Sequence, residues 1–217
     1  MVTAAAVTVL FMFVVNPLIG WPAVAPMPVR SIILALVIIW IARGRGESLS
    51  AFGLARPRRI WLAVVLGFIF VAVGLFALQP LKDLLREAVN APPADLSSLE
   101  YIHGNLAAYL VSLVAVWVAA GFSEEFIFRG YLMNRIAAIG RGSVLAWVFA
   151  ITVQATVFGL GHLYAGWGVA LTAGFGALFS GVYFLIAGRN LWALILAHGI
   201  WDSAAVTLLY LYGMPST

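Results

Sequence analysis

Long apolar runs alternate with short polar connections along the whole chain. The runs occupy residues 1–15, 32–42, 60–78, 106–120, 144–160, 168–187 and 191–212. An α-helix needs about 20 apolar residues to cross the hydrocarbon core of a bilayer. Because the runs are long, and because the connections between them carry the prolines, glycines and arginines, the pattern predicts an all-α fold. We expect a polytopic transmembrane helix bundle of about seven spans.

The composition agrees with a membrane protein. Of the 217 residues, 64% are hydrophobic and 9% are charged, whereas a soluble domain has about 25% charged residues. Six to eight spans with short loops form one integrated domain, in which residues 1–100 supply N-terminal helices and loops and residues 101–217 supply the functional bundle. The chain has no cysteine, which excludes disulfides and thiolate chemistry.

The arginines predict the orientation of the chain. Most of them lie in alternate connections, at residues 43, 45, 56, 58, 59, 135, 141 and 189. Connections rich in Lys and Arg stay in the cytoplasm, so we expect a multi-pass protein of the cell membrane, a bacterial inner membrane by its composition, with a cytoplasmic N-terminus. The net charge of +4 therefore reflects orientation and does not indicate a nucleic-acid partner.

Two segments allow more than one interpretation. The segment with Lys82, Asp83, Arg86 and Glu87 is predicted to be an amphipathic or loop stretch on the outer side. The first apolar run has a cleaved signal peptide as its alternative, because residues 23–25 have the small-x-small form of a cleavage site. The positively charged region that precedes such a peptide is missing, so we favour a span.

An acidic motif follows directly after the fourth apolar run. Residues 123–130 read Ser-Glu-Glu-Phe-Ile-Phe-Arg-Gly, and ionisable residues inside a membrane indicate a functional site. On a helix, Glu125 and Arg129 are four residues apart in the order that favours an ion pair. Glu124 points about 100° away from Glu125. The spacing predicts a structural pair between Glu125 and Arg129 and leaves Glu124 available for chemistry.

Two further polar motifs lie in later runs, where Phe158 precedes His162 by four residues and His198 precedes Asp202 by four. The ordered patterns EExxxR, FxxxH and HxxxD resemble those of the CPBP family, intramembrane proteases related to type II CAAX prenyl endopeptidases and bacteriocin-processing proteins. The resemblance covers roughly the C-terminal half. It implies an intramembrane endopeptidase whose catalytic cavity is formed by the last four spans. It assigns catalysis to Glu124, His162, His198 and Asp202 and support to Glu125, Arg129 and Phe158.

The polar groups permit two mechanisms. In the first, Glu124 is a general base for a water held by His162, while His198 and Asp202 hydrogen-bond the developing oxyanion. In the second, Glu124, His162 and His198 bind zinc, since two histidines and one glutamate form a known catalytic zinc set. The chain lacks HExxH, the more specific zinc motif, and the resemblance favours the metal-free mechanism. We therefore expect no cofactor, with zinc as the alternative.

The resemblance also predicts the partners. It implies a peptide or protein substrate, for which lipidated C-termini are an example in the family, together with membrane lipid. Because His198 lies closest to the basic turn at Arg189, we expect access to the site from the cytoplasm.

Other classes of function remain open. A proton-coupled transporter or channel would use Glu124, His162, His198 and Asp202 as a relay, although the spans show no inverted repeat. A non-catalytic immunity or binding protein would keep only the fold.

Overall fold

A computed structural model describes residues 27–214, and all regular structure in that part of the chain is helical. Short 3₁₀-helices occupy the connections at Leu49–Phe52, Ser97–Ile102 and Leu163–Ala165. The six long helices are α1 Met27–Gly44, α2 Ile60–Ala88, α3 Leu106–Ile139, α4 Val144–Gly161, α5 Trp167–Ile186 and α6 Trp192–Tyr212.

Five of these helices, α2 to α6, are long and apolar enough to cross a membrane. They correspond to the last five predicted runs, which confirms the helical membrane bundle. The predicted run 32–42 lies within α1, which is not among the five. The predicted span 1–15 and the alternative cleavage site at residues 23–25 lie outside the described residues, so the total of about seven stays a prediction.

The segment after the third run takes the first of its two predicted forms, an amphipathic stretch. Residues 79–88 do not form a loop; they continue α2 as a helix after a π-helical turn at Gly74–Leu78. In a π-helix each N–H bonds the carbonyl five residues back, which shifts the direction of the following side chains. The helix is amphipathic in this part, and its Lys82 side chain points into the bundle, toward Gly176 of α5.

Helix α3 is continuous across the acidic motif. It is π-helical over Val116–Glu124 and again over Phe126–Met133. Polar side chains stabilise this geometry: the Ser123 hydroxyl donates to the Val118 carbonyl at 2.7 Å, five residues back, and the Asn134 amide donates to the Gly130 carbonyl at 2.7 Å. The helix therefore runs through Gly121 without a break, and its π-helical form was not predicted.

Helices α3 and α6 approach each other through glycines. A Cβ atom on Gly121 would lie 3.2 Å from the carbonyl oxygen of Ile195, and one on Gly199 would lie 2.5 Å from the Trp117 ring. Small residues allow membrane helices to pack closely, because lipid supplies no hydrophobic force that would press them together. The close approach places the acidic motif of α3 directly against the histidine of α6.

The arginine-rich connections meet at one end of the bundle. Glu47 pairs with Arg135, the Leu191 amide donates to the Gly53 carbonyl at 2.9 Å, and the Arg189 guanidinium lies 5.8 Å from the centre of the Trp147 ring. We call this the basic end, comprising the connections at 45–59, 140–143 and 187–191. All the arginines predicted to be cytoplasmic lie at this end or on the last turns of α1 and α3 that lead into it.

The remaining connections meet at the opposite end. The Asp95 amide donates to the Ala165 carbonyl at 3.0 Å, and the Gly104 amide donates to the Tyr210 carbonyl at 3.0 Å. We call this the distal end, comprising the connections at 89–105 and 162–166. The two sets of contacts agree with the alternation predicted from the sequence.

Most of the buried core lies between the middle of the bundle and the basic end. The 3₁₀-helix after α1 inserts Phe52 among α3 and α6, where its ring packs edge-on against Phe126 at 6.2 Å between centroids. The residues on the distal side of the acidic motif in α3 are mostly half-buried or exposed. The fully buried large side chains of the basic half include Phe126, Phe128, Met133, Phe184, Leu191 and Leu194.

The contact between α4 and α5 provides a test of this packing. A Cβ atom on Gly159 would lie 2.6 Å from the Ala170 carbonyl oxygen and 3.0 Å from the Gly174 Cα atom, both backbone atoms that cannot rotate away. We expect Gly159→Ala to lower the free energy of unfolding by about 1–3 kcal/mol, as overpacking does, measured by thermal unfolding in detergent. Gly44→Ala is the matched control, since nothing lies within 4 Å of its Cβ position. Equal melting temperatures for both variants would contradict this account of the helix contact.

Candidate active site

The Glu125 carboxylate is the centre of the polar cluster. Its Oε1 atom accepts hydrogen bonds from Arg129 Nη1 at 3.1 Å and from His198 Nδ1 at 2.8 Å. Glu125 is 2% exposed and Arg129 is 1% exposed, so both charges are removed from solvent. The predicted pair within α3 is confirmed. The bond to His198 was not predicted, and it ties α3 to α6.

Phe158 connects the ion pair to His162. The Arg129 guanidinium lies over the Phe158 ring, 4.7 Å from its centre, a distance at which the ring attracts a cation. The same ring packs against His162 at 4.6 Å between centroids. Phe158, for which a support role is predicted, thus contacts both the buried charge and a predicted catalytic imidazole through one ring.

His162 follows directly after the last residue of α4, outside the membrane-spanning segments, and is held in one orientation. Its Nδ1 atom lies 2.8 Å from the Phe158 carbonyl oxygen, so Nδ1 carries the proton and donates, and Nε2 keeps its lone pair. Burial lowers the pKa of His162 to about 4, because low-dielectric surroundings disfavour the charged imidazole. At neutral pH the side chain is a neutral ring whose Nε2 accepts a hydrogen bond.

Glu124 is adjacent to this cluster but is not bound into it. The residue is 7% exposed and interacts electrostatically with His198 and Asp202. Among the described residues, no protein group donates a hydrogen bond to its carboxylate. The two neighbouring glutamates therefore differ as the sequence predicts: Glu125 is bound twice, and Glu124 is available to a water or a substrate.

His198 and Asp202 form the accessible side of the site. His198 Nε2 lies 3.5 Å from Asp202 Oδ2, one helical turn further along α6. Their side chains are 20% and 29% exposed, respectively, whereas those of the ion pair at Glu125 and Arg129 are 3% and 1% exposed. His198 thus joins the buried ion pair on one side to the open part of the site on the other.

Sequence analysis missed two further groups near the cluster. Tyr164 interacts electrostatically with Glu124 and Asp202, and Lys82 of α2 interacts with Asp202 and His162. Both had a signal in the sequence. Tyr164 lies two residues after His162, and Lys82 is the only lysine in the chain.

The predicted zinc ligands do not form a metal-binding group. Across residues 27–214, no three or more side chains of His, Cys, Asp or Glu are arranged to hold a metal ion. Glu124, His162 and His198 therefore do not fit the zinc alternative.

Packed side chains lie between the cluster and the basic end. They include residues that follow Glu125 in α3, such as Phe126 and Met133, and residues that precede His198 in α6, such as Leu194. On the other side lie His162, at the distal end of α4, and Tyr164, which is 59% exposed. The cluster thus lies between a packed half and a more exposed half of the described residues, and entry from the cytoplasm stays a prediction.

The comparison with protein families agrees with this geometry. Residues 106–204 match the family described as type II CAAX prenyl endopeptidase Rce1-like. The resemblance inferred from the three motifs is thereby confirmed. No curated protein and no solved structure matches the chain. The matched region contains α3 to α5 and most of α6, with all seven predicted site residues, and its family supports an endopeptidase activity in a multi-pass membrane protein.

A test of the cluster follows from the double role of Glu125. Glu125→Gln leaves the Arg129 charge buried without its carboxylate, so we expect a loss of about 3–5 kcal/mol in the free energy of unfolding, measured as melting temperature in detergent. Adding Arg129→Met should restore much of the stability. It should not restore the environment of His198, which can be followed by NMR of the imidazole nitrogens. An unchanged melting temperature for Glu125→Gln would contradict the buried ion pair.

Proposed function

We propose that this protein is an intramembrane endopeptidase in which Glu124 activates the attacking water. The observation that carries the proposal is the difference between the two adjacent glutamates. The Glu125 carboxylate accepts hydrogen bonds from Arg129 and His198. Glu124 lies beside the more exposed part of the site, and no protein group among the described residues donates a hydrogen bond to its carboxylate. A general base needs a carboxylate that can receive a proton from water.

In the proposed reaction a water molecule lies between the Glu124 carboxylate and the Nε2 lone pair of His162. Glu124 accepts one proton from the water, and the water oxygen attacks the carbonyl carbon of the scissile peptide bond. The carbon–nitrogen bond then breaks, and the proton held by Glu124 passes to the leaving amine. The products are a carboxylic acid and an amine, and the glutamate returns to its starting state.

His198 and Asp202 are placed to stabilise the intermediate. The carbonyl oxygen becomes negatively charged when water adds, and donors fixed at that position stabilise it more than water does. In its imidazolium form His198 donates from Nδ1 to Glu125 and from Nε2 toward the open side of the site. Asp202 fixes the Nε2 side of the ring and contributes a donor only when it carries a proton. Glu125 is therefore a positioning residue for His198.

The proposed substrate is a peptide or protein segment that reaches the site within or at the edge of the bilayer. Its C-terminal or lipidated nature is suggested by the description of the matched family. The surrounding lipid is a partner because five helices are long and apolar enough to cross a membrane. We place the protein in the cell membrane of a bacterium and assign it no metal and no nucleic-acid partner.

The central test is the loss of the base. Glu124→Gln keeps the shape of the side chain but removes its ability to accept a proton. We expect cleavage of a quenched apolar peptide to fall by about 10²–10⁴-fold, the usual contribution of general base catalysis, while the melting temperature changes little. Glu100→Gln is the matched control, since Glu100 is exposed in the connection before α3. A stable Glu124→Gln protein that still cleaves the peptide would overturn the proposed mechanism.

A second test concerns the metal. Activity should survive extensive treatment with a chelator, and purified protein should contain much less than one zinc per chain. His162→Ala should reduce cleavage without releasing metal, because the lost group is an acceptor for water. If one tightly bound zinc per chain disappeared together with activity in that variant, metal-assisted hydrolysis would replace the proposed mechanism.

A further inference from the structure

Lys82 brings a positive charge to the site from a helix outside the matched family region. It lies on the face of α2 that packs against the bundle. On the same face, Leu78 is 5% exposed, and a Cβ atom on Gly74 would lie 3.3 Å from the Trp201 ring of α6. The end of the Lys82 side chain approaches α5, where a Cβ atom on Gly176 would lie 3.0 Å from Nζ. A glycine at 176 therefore leaves room for the ammonium group.

The ammonium group has no bonding partner within the described residues. Neither a hydrogen bond nor an ion pair joins it to a protein group there. The neighbouring Asp83 accepts a hydrogen bond from Gln79 at 2.9 Å, and Asp202 lies 3.5 Å from His198. Lys82 interacts with both carboxylates only at longer range. Three N–H donors and one positive charge thus face the side of the cluster that carries Asp202 and His162.

The depth of this charge limits what can bind it. Gly176 lies in the middle of α5, about 13 Å along the axis from the distal end of that helix at 1.5 Å per residue. The phosphate of a lipid headgroup stays at the membrane surface. A charge within the bundle is costly unless it is paired or serves a substrate pathway. The end of a peptide chain bound in the site can reach it.

We propose that Lys82 binds the free C-terminal carboxylate of the peptide substrate, so that the site selects bonds near the end of a chain. This inference rests on the proposed endopeptidase function. An ammonium group donates charge-assisted hydrogen bonds to a carboxylate, and these are stronger than bonds between neutral groups. The same contact neutralises the lysine when substrate is bound. Lys82 is then a specificity-determining residue, and Glu124 remains the base.

The experiment compares two forms of one quenched library of short apolar peptides, with a free C-terminal carboxylate and with a C-terminal amide. We expect the wild-type protein to cleave the free acids with a kcat/KM at least about tenfold higher, as one charged hydrogen bond allows. Lys82→Gln should bring the ratio of the two rates close to one, mainly through slower cleavage of the acids. Lys82→Arg keeps the charge and should retain a preference for the acids.

Arg86→Gln is the matched control, because Arg86 lies one turn further along α2 and donates to the Pro92 carbonyl of the distal connection at 3.3 Å. It should keep the wild-type ratio. If the active wild-type protein cleaves acids and amides equally, the proposed role of Lys82 is overturned and the endopeptidase function is not. A Lys82→Gln protein that keeps the wild-type ratio of acid to amide cleavage has the same consequence. Cleavage by Glu124→Gln at the wild-type rate would instead overturn the proposed function.

Discussion

The arrangement of the site depends on one buried carboxylate shared between two helices. Glu125 neutralises Arg129 within α3 and holds His198 of α6 through the same oxygen atom. In low-dielectric surroundings an unpaired charge is far more costly than a lost neutral contact, so this interaction fixes the rotation of α3 relative to α6. Once that rotation is fixed, Glu124 on the neighbouring face lies beside the open part of the site.

The shared carboxylate requires helices that approach closely. Gly121 and Gly199 supply the space, since a side chain at either position would meet the backbone of Ile195 or the ring of Trp117. The π-helical geometry of α3 changes the direction in which each residue of the acidic motif points. Such geometry occurs frequently at functional sites. Close packing and unusual helix geometry thus act together to place charged groups that a regular helix pair would keep further apart.

The two halves of the bundle have different roles. The half toward the basic end is filled by large buried side chains and anchors α1, α3 and α6 around Phe52. The half toward the distal end carries the polar groups and the more exposed stretches of α3 and α6. Catalytic groups need a rigid support, and in this chain the packed half lies directly beside the polar groups.

The sequence alone determined every feature that depends on local pattern. The apolar runs located five helices to within a few residues at most ends, and the spacing of four residues predicted the pair between Glu125 and Arg129. The three motifs predicted the family whose model matches residues 106–204. The sequence did not reveal the bond from Glu125 to His198, the direction of Lys82 or the π-helical form of α3. In a membrane both the lipid and the protein core are apolar. The hydrophobic pattern of helices such as α4 and α6 therefore does not distinguish the side that faces lipid from the side that faces the core. That choice is made only by contacts between helices, through the glycines, the buried ion pair and the aromatic core.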